Sequence, residues 1–126
     1  MEIKDDDIRA FLSSYIARAA EERRVANLGP EQAKKINKAI GETELTDEER
    51  NWLKPLVERK RAISGIVLGV PSVPKVVIKS ADAYKPLETF IGRAVQASGV
   101  NVNVGLLCNA LVELMHEDGV IEDRRS

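Results

Sequence analysis

Apolar residues recur three and four positions apart through most of this chain. Ile8, Phe11, Leu12, Tyr15, Ile16, Ala19 and Ala20 form one stripe, which predicts an amphipathic first helix. Asp5, Asp6 and Asp7 stand before it, where negative charge favours a helix N-terminus. Asn27-Leu28-Gly29-Pro30 is the predicted stop, and Pro30 is suited to open the next helix because its missing N–H has no helical partner to lose there. Ala33, Ile36 and Ile40 mark the inner face of that short, charged second helix, with Gly41 as its predicted end. Thr46 and Glu49 make a capping box ahead of Trp52, Leu53, Leu56, Val57, Ile63 and Val67. Pro55 lies inside that third pattern. Its ring clashes with the preceding turn, which predicts a kinked or divided helix.

The periodicity then stops. From Ala62 to Pro74 thirteen consecutive residues carry no charge, and Gly65, Gly69, Pro71 and Pro74 interrupt them. This connector is too short and too broken to cross a bilayer, which takes roughly 20 apolar residues. The residues before Pro71 and Pro74 are pushed out of the helical region. Val76, Val77 and Ile78 are the one strand candidate, and a single strand makes no sheet within one chain. Helical spacing returns at Leu87, Phe90, Ile91, Ala94 and Val95, closed by Gly99. Asn101 or Asn103 caps a last helix carrying Val104, Leu107, Ala110, Leu111, Leu114 and Met115, with Leu106 and Cys108 widening its stripe. Asp118-Gly119 ends it, and Val120 and Ile121 are placed to fold back on its last turn. Asp123 to Ser126 reads as a frayed tail.

The predicted fold class is therefore all-α. It is one domain over residues 1–126, with a charged helical front (1–62), an apolar connector (62–79) and a C-terminal helical hairpin (80–121). At 126 residues such a bundle buries a core without disulfides or metals. Aromatics are only 4%, so the core is aliphatic. Net charge is -1, which exerts no global pull on nucleic acid or anionic membrane. The charge is uneven: residues 1–62 hold 13 basic and 13 acidic groups, and the rest hold 6 and 7. A lone cysteine excludes an internal disulfide. The acidic N-terminus lacks the pattern of a signal peptide, so the expected location is the cytoplasm.

The inventory of catalytic groups is thin. Glu113-x-x-His116 has the spacing of a carboxylate-bridged metal motif, but such sites need further ligands that only a second copy of the chain would bring. Cys108 and His116 are two helical turns apart, a rise of about 12 Å, too far for a nucleophile and its base. Neither a nucleophile elbow nor a phosphate-binding loop is present. Reading residues 84–117 as a helix-turn-helix fails because the second helix has no basic donor before its end. Lys34, Lys35 and Lys38 on the second helix, Arg59, Lys60 and Arg61 on the third, and Arg18, Arg23 and Arg24 at the end of the first form a cationic patch if their faces adjoin. Acidic neighbours and the lack of an interleaved aromatic weigh against base stacking.

The expected function is that of a non-enzymatic helical protein–protein interaction module, such as an adaptor, an inhibitor or an assembly subunit. Its partner is another protein or a second copy of the chain, and no cofactor is required. The expected interface is the connector: Ile66, Leu68, Val70, Val73, Val76 and Ile78, held open by Pro71 and Pro74. The unpaired strand at residues 75–79 would join its copy across a dimer axis. The alternative is a small nucleic-acid-binding regulator using Lys34, Lys35, Lys38, Arg59, Lys60 and Arg61.

Overall fold

A computed structural model describes residues 2–65, 69 and 72–125. Five α-helices carry the fold: α1 (Asp5–Glu21), α2 (Pro30–Glu42), α3 (Asp47–Ser64), α4 (Lys85–Ser98) and α5 (Val104–Glu117). Two short strands, β1 (Val76–Ile78) and β2 (Ile121–Asp123), complete it. The all-α bundle expected from periodicity is the observed architecture. α1 and α4 each pack against both α2 and α3, and α5 closes over α1 and α4. Every residue of the predicted α1 stripe is buried, as are Ala33, Ile36 and Ile40 of α2. Phe90, Leu87, Ile91 and Leu107 are fully buried where α4 meets α5.

The helix ends follow local chemistry. α1 stops earlier than Gly29. Arg23 takes the left-handed conformation (φ 54°), its N–H bonds to the Ala20 carbonyl, and the Arg24 N–H reaches back to Ala19. This six-to-one closure usually falls to glycine. α2 passes through Gly41 and ends at Thr43, whose hydroxyl donates to the Ala39 carbonyl at 2.7 Å. The box at Thr46 forms as expected: Glu49 N–H donates to Thr46 Oγ1 at 3.1 Å, and Thr46 N–H to Glu49 Oε1 at 3.0 Å. α3 continues through Pro55 as one element, so the proline does not divide it. Gly99 (φ 74°) closes α4, and Asn103 caps α5 by accepting from the Leu106 N–H at 2.9 Å. Leu106 itself is 54% exposed and lies outside the stripe.

Two expectations fail at the C-terminus. The strand is not alone, and the tail as far as Arg125 is not frayed. Gly119 (φ 80°) turns the chain after α5, and Val120 N–H bonds back to the Met115 carbonyl at 2.9 Å. The chain then runs parallel to β1, with Val76, Val77 and Ile78 opposite Ile121, Glu122 and Asp123. Bonds from Val76 N–H to Val120 and from Arg124 N–H to Ile78 extend the ladder. Parallel pairing requires a crossover, which α4 and α5 provide. Arg125 follows, paired with Asp123 at 2.8 Å and lying 5.3 Å over the Tyr84 ring.

Candidate functional site

The connector is mostly absent as a free surface. Ile66, Leu68, Val70 and Pro71 lie outside the described residues. Ile78 is fully buried, and Val76 packs against the core. Both are withdrawn because β2 brings them down onto the bundle, which corrects the expectation that they face a partner. Val73 is half-buried, and its carbonyl accepts from Arg59 at 2.7 Å. Pro74 is exposed, as is Val77 at 37%.

The basic candidates separate sharply. Arg59 is 6% exposed and spends its guanidinium on two carbonyls, Gly119 at 3.0 Å and Val73 at 2.7 Å. It ties α3 to the turn after α5 and to the end of the connector, and it is not available to a polyanion. Lys60 donates to Asp118 at 3.1 Å, and Arg61 pairs with Asp7 at 3.1 Å. Of the earlier cluster, Arg18 holds Asp118 and Glu22, while Arg24 holds Glu22 and Glu117. α2 and α3 each pack on α1 and α4 rather than on one another, so the two halves of the expected patch do not merge.

Two carboxylates that the sequence presents as ordinary surface groups are internal hubs. Asp118 accepts from Tyr15 Oη at 2.7 Å, from Arg18 and from Lys60. Burial alone would raise its pKa, but the three donors outweigh burial and hold it below the usual carboxylate range. The Tyr15 phenol is pushed up by burial and by that carboxylate. Glu49 is 2% exposed. It accepts from both terminal nitrogens of Arg93 at 2.6 Å and from Thr89 Oγ1 at 2.7 Å. Burial pushes it up, yet Arg93, the Thr46 N–H and Thr89 prevail and hold it at about 2. The capping box gave away the backbone contact of Glu49, but no local signal gave away Arg93, 44 residues on.

The remaining reactive groups are dispersed. Burial, with a smaller contribution from Glu88, pushes the Cys108 thiol up to about 12, which leaves it a packing residue. Glu113 is exposed and directed at Arg24, 3.9 Å away. His116 Nδ1 lies 3.3 Å from the Ile121 carbonyl oxygen. Among the described residues no three His, Cys, Asp or Glu side chains gather as a metal site.

Three open grooves border α2. Lys34, Lys35 and Lys38 are exposed, and none has a hydrogen-bond or ion-pair partner among the described residues. An open groove of about 980 Å³ lies between the α1–α2 loop and the α4–α5 loop, bordered by Arg23, Asn27, Gln32, Lys35, Val100 and Asn101. A second, of about 470 Å³, follows the α2–α4 seam past Lys35, Lys38, Glu42, Ala97 and Ser98. A third, of about 320 Å³, follows the α1–α2 seam and is floored by Ala17, Ala20, Pro30 and Ala33, with Lys34 and Asn37 at its rim. Asn37 Nδ2 donates to the Ser13 carbonyl at 3.1 Å, while its Oδ1 is buried with no partner among the described residues.

Among the described residues no helix is long and apolar enough to cross a membrane. No family model matches this chain, and comparison with curated proteins and with solved structures finds no match.

Proposed function

We propose that this chain is a non-enzymatic helical module that docks a protein partner on the outer face of α2. The observation that carries the reading is the contrast in how its cations are used. Lys34, Lys35 and Lys38 stand exposed and unpartnered among the described residues, beside all three grooves. Arg59, Lys60 and Arg61 of α3, by contrast, are bound internally. Glu21, Glu31 and Glu42 flank the lysines, and a mixed-charge face suits a protein surface better than a continuous polyanion. The saturated Asp118 and buried Cys108 support binding rather than catalysis as the role of the fold.

The test is proximity labelling in the native host with the wild type, a Lys34→Glu/Lys35→Glu/Lys38→Glu variant and a Lys75→Glu/Lys79→Glu control. The reading requires partners that the α2 variant loses and the control keeps. Identical partner sets for all three would refute it. Anisotropy with mixed DNA and RNA probes at low and moderate salt separates the competing reading, since tight salt-sensitive binding would make the same lysines a nucleic-acid site. Sedimentation of the purified chain tests whether the partner is a second copy.

A further inference from the structure

Lys35 borders both the opening at the α1–α2 loop and the α2–α4 seam, so the two grooves adjoin there and together make a track along α2. Its cations fall in order: Arg23 at the loop end, then Lys35, then Lys38. Arg23 stands out. Of ten arginines in the chain, it alone has no side-chain partner among the described residues. The other nine bind carboxylates or carbonyls. The opposite wall is neutral and small, made by Ala97, Ser98, Gly99 and Val100 at the end of α4. The far end of the track is acidic at Glu42.

We infer that this track binds an extended acidic peptide segment of a protein partner. The inference rests on the α2 face being the docking surface. Length, charge and shape each argue for that occupant. The track follows most of the 13 residues of α2, about 20 Å at 1.5 Å per residue, which matches roughly six residues of extended chain. Three free cations on one wall complement two or three carboxylates on alternate peptide positions. The small residues of the α4 wall leave room for a backbone to approach. The groove is open along its length, so a small ligand would remain largely solvated there, whereas a chain segment covers it end to end. Glu42 sets the direction of charge: the acidic residues of the segment lie towards Arg23, and the position beside Glu42 is neutral or basic. The track carries no aromatic residue for a base to stack on, and Glu42 repels a continuous phosphate backbone.

The experiment titrates the ¹⁵N-labelled chain with an acetylated hexapeptide of alternating Glu and Ala, and with the same peptide carrying Gln for Glu. The expected result is amide shifts confined to residues 97–101 and the Arg23 and Lys35 neighbourhoods, from the acidic peptide alone. Arg23→Gln and Lys35→Gln should each weaken binding about three- to tenfold, while Lys75→Gln leaves it unchanged. Raising salt from about 50 to about 300 mM should weaken it as well. Absence of shifts at millimolar peptide, or shifts centred away from the track, would overturn the inference. So would tighter binding of an oligonucleotide of equal charge to the same amides. If the peptide fails while the α2 lysine variant still loses its partners in cells, the track is wrong and the docking face stands. If both fail, the face is wrong too.

Discussion

The Glu49–Arg93 pair joins α3 to α4, and its removal is the sharpest test of how this bundle is held together. Consider Arg93→Met, which keeps the aliphatic stem and deletes the fork. Glu49 then retains Thr89 and the Thr46 N–H but loses both 2.6 Å contacts to the guanidinium. The Glu44 carbonyl loses its 2.8 Å donor as well. Stripping one partner from a buried pair costs about 3–5 kcal/mol. The Arg93 side chain is 42% exposed against 3% for Glu49, so water partly replaces it and about 2–3 kcal/mol is expected. That is a large share of the roughly 5–15 kcal/mol available to a domain.

Acid supplies an independent reading of the same pair. The Glu49 pKa falls from 4.5 to about 2 on folding. A lowered carboxylate stabilises the fold above its unfolded pKa, and that contribution disappears as pH drops through the folded value. At about 1.4 kcal/mol per tenfold change in proton affinity, it is worth about 3 kcal/mol at neutral pH. Urea unfolding of wild type and Arg93→Met at pH 7, 5, 4 and 3 should show a gap that is widest at pH 7 and narrows below pH 4.5. Arg93→Met/Glu49→Leu should recover much of the loss by removing the stranded charge. A gap under about 1 kcal/mol at pH 7, or one that stays constant with pH, refutes the reasoning.

Three further outcomes are expected. Ile121→Ala should destabilise the fold by about 2–4 kcal/mol in urea unfolding, because Ile121 is a fully buried member of β2; no measurable change would mean that β2 does not pack on the bundle. Cys108 should resist alkylation at pH 8 in the native protein and react promptly in denaturant, since burial holds its thiol at about 12; rapid native labelling would contradict that placement. Arg23→Gly should raise stability by about 0.5–1 kcal/mol by relieving the left-handed residue, while weakening the acidic hexapeptide; a variant less stable than wild type would mean the φ 54° conformation is held by contacts other than the turn.

Helix identity was legible because it depends on spacing within about ten residues. Periodicity selects the buried stripes of α1 and α4 in full and most of those of α2 and α5, missing Ala39 and Val112, and the caps at Thr46 and Asn103 follow from side chains three positions from their targets. What failed depends on contacts across the chain. β1 finds its neighbour 45 residues away at Ile121, and a three-residue strand with one charged pair carries no pattern that betrays its partner. The α1 stop was misplaced because glycine and proline near residue 29 outweigh an arginine that adopts a glycine conformation. Leu106 was drawn into the α5 stripe by being apolar, although its position points outward.

The expected cationic patch dissolved for a reason that bears on how such patches are read. Arg59, Lys60 and Arg61 look equivalent to Lys34, Lys35 and Lys38 when only charge is counted. Their chemistry differs. A guanidinium is weakly hydrated and presents donors in a fixed fork, so it can serve two acceptors from separate elements, as Arg59 does with Gly119 and Val73. An ammonium is strongly hydrated and gains little from leaving water. Nine of ten arginines are engaged within the described fold, whereas Lys60 alone of nine lysines is. Arginine was the residue to expect inside and lysine the one to expect at a free surface. On that footing Arg23 is the exception, the one arginine without a side-chain partner among the described residues, and it lies at the groove between the α1–α2 and α4–α5 loops, where the proposed acidic segment would engage it together with Lys35.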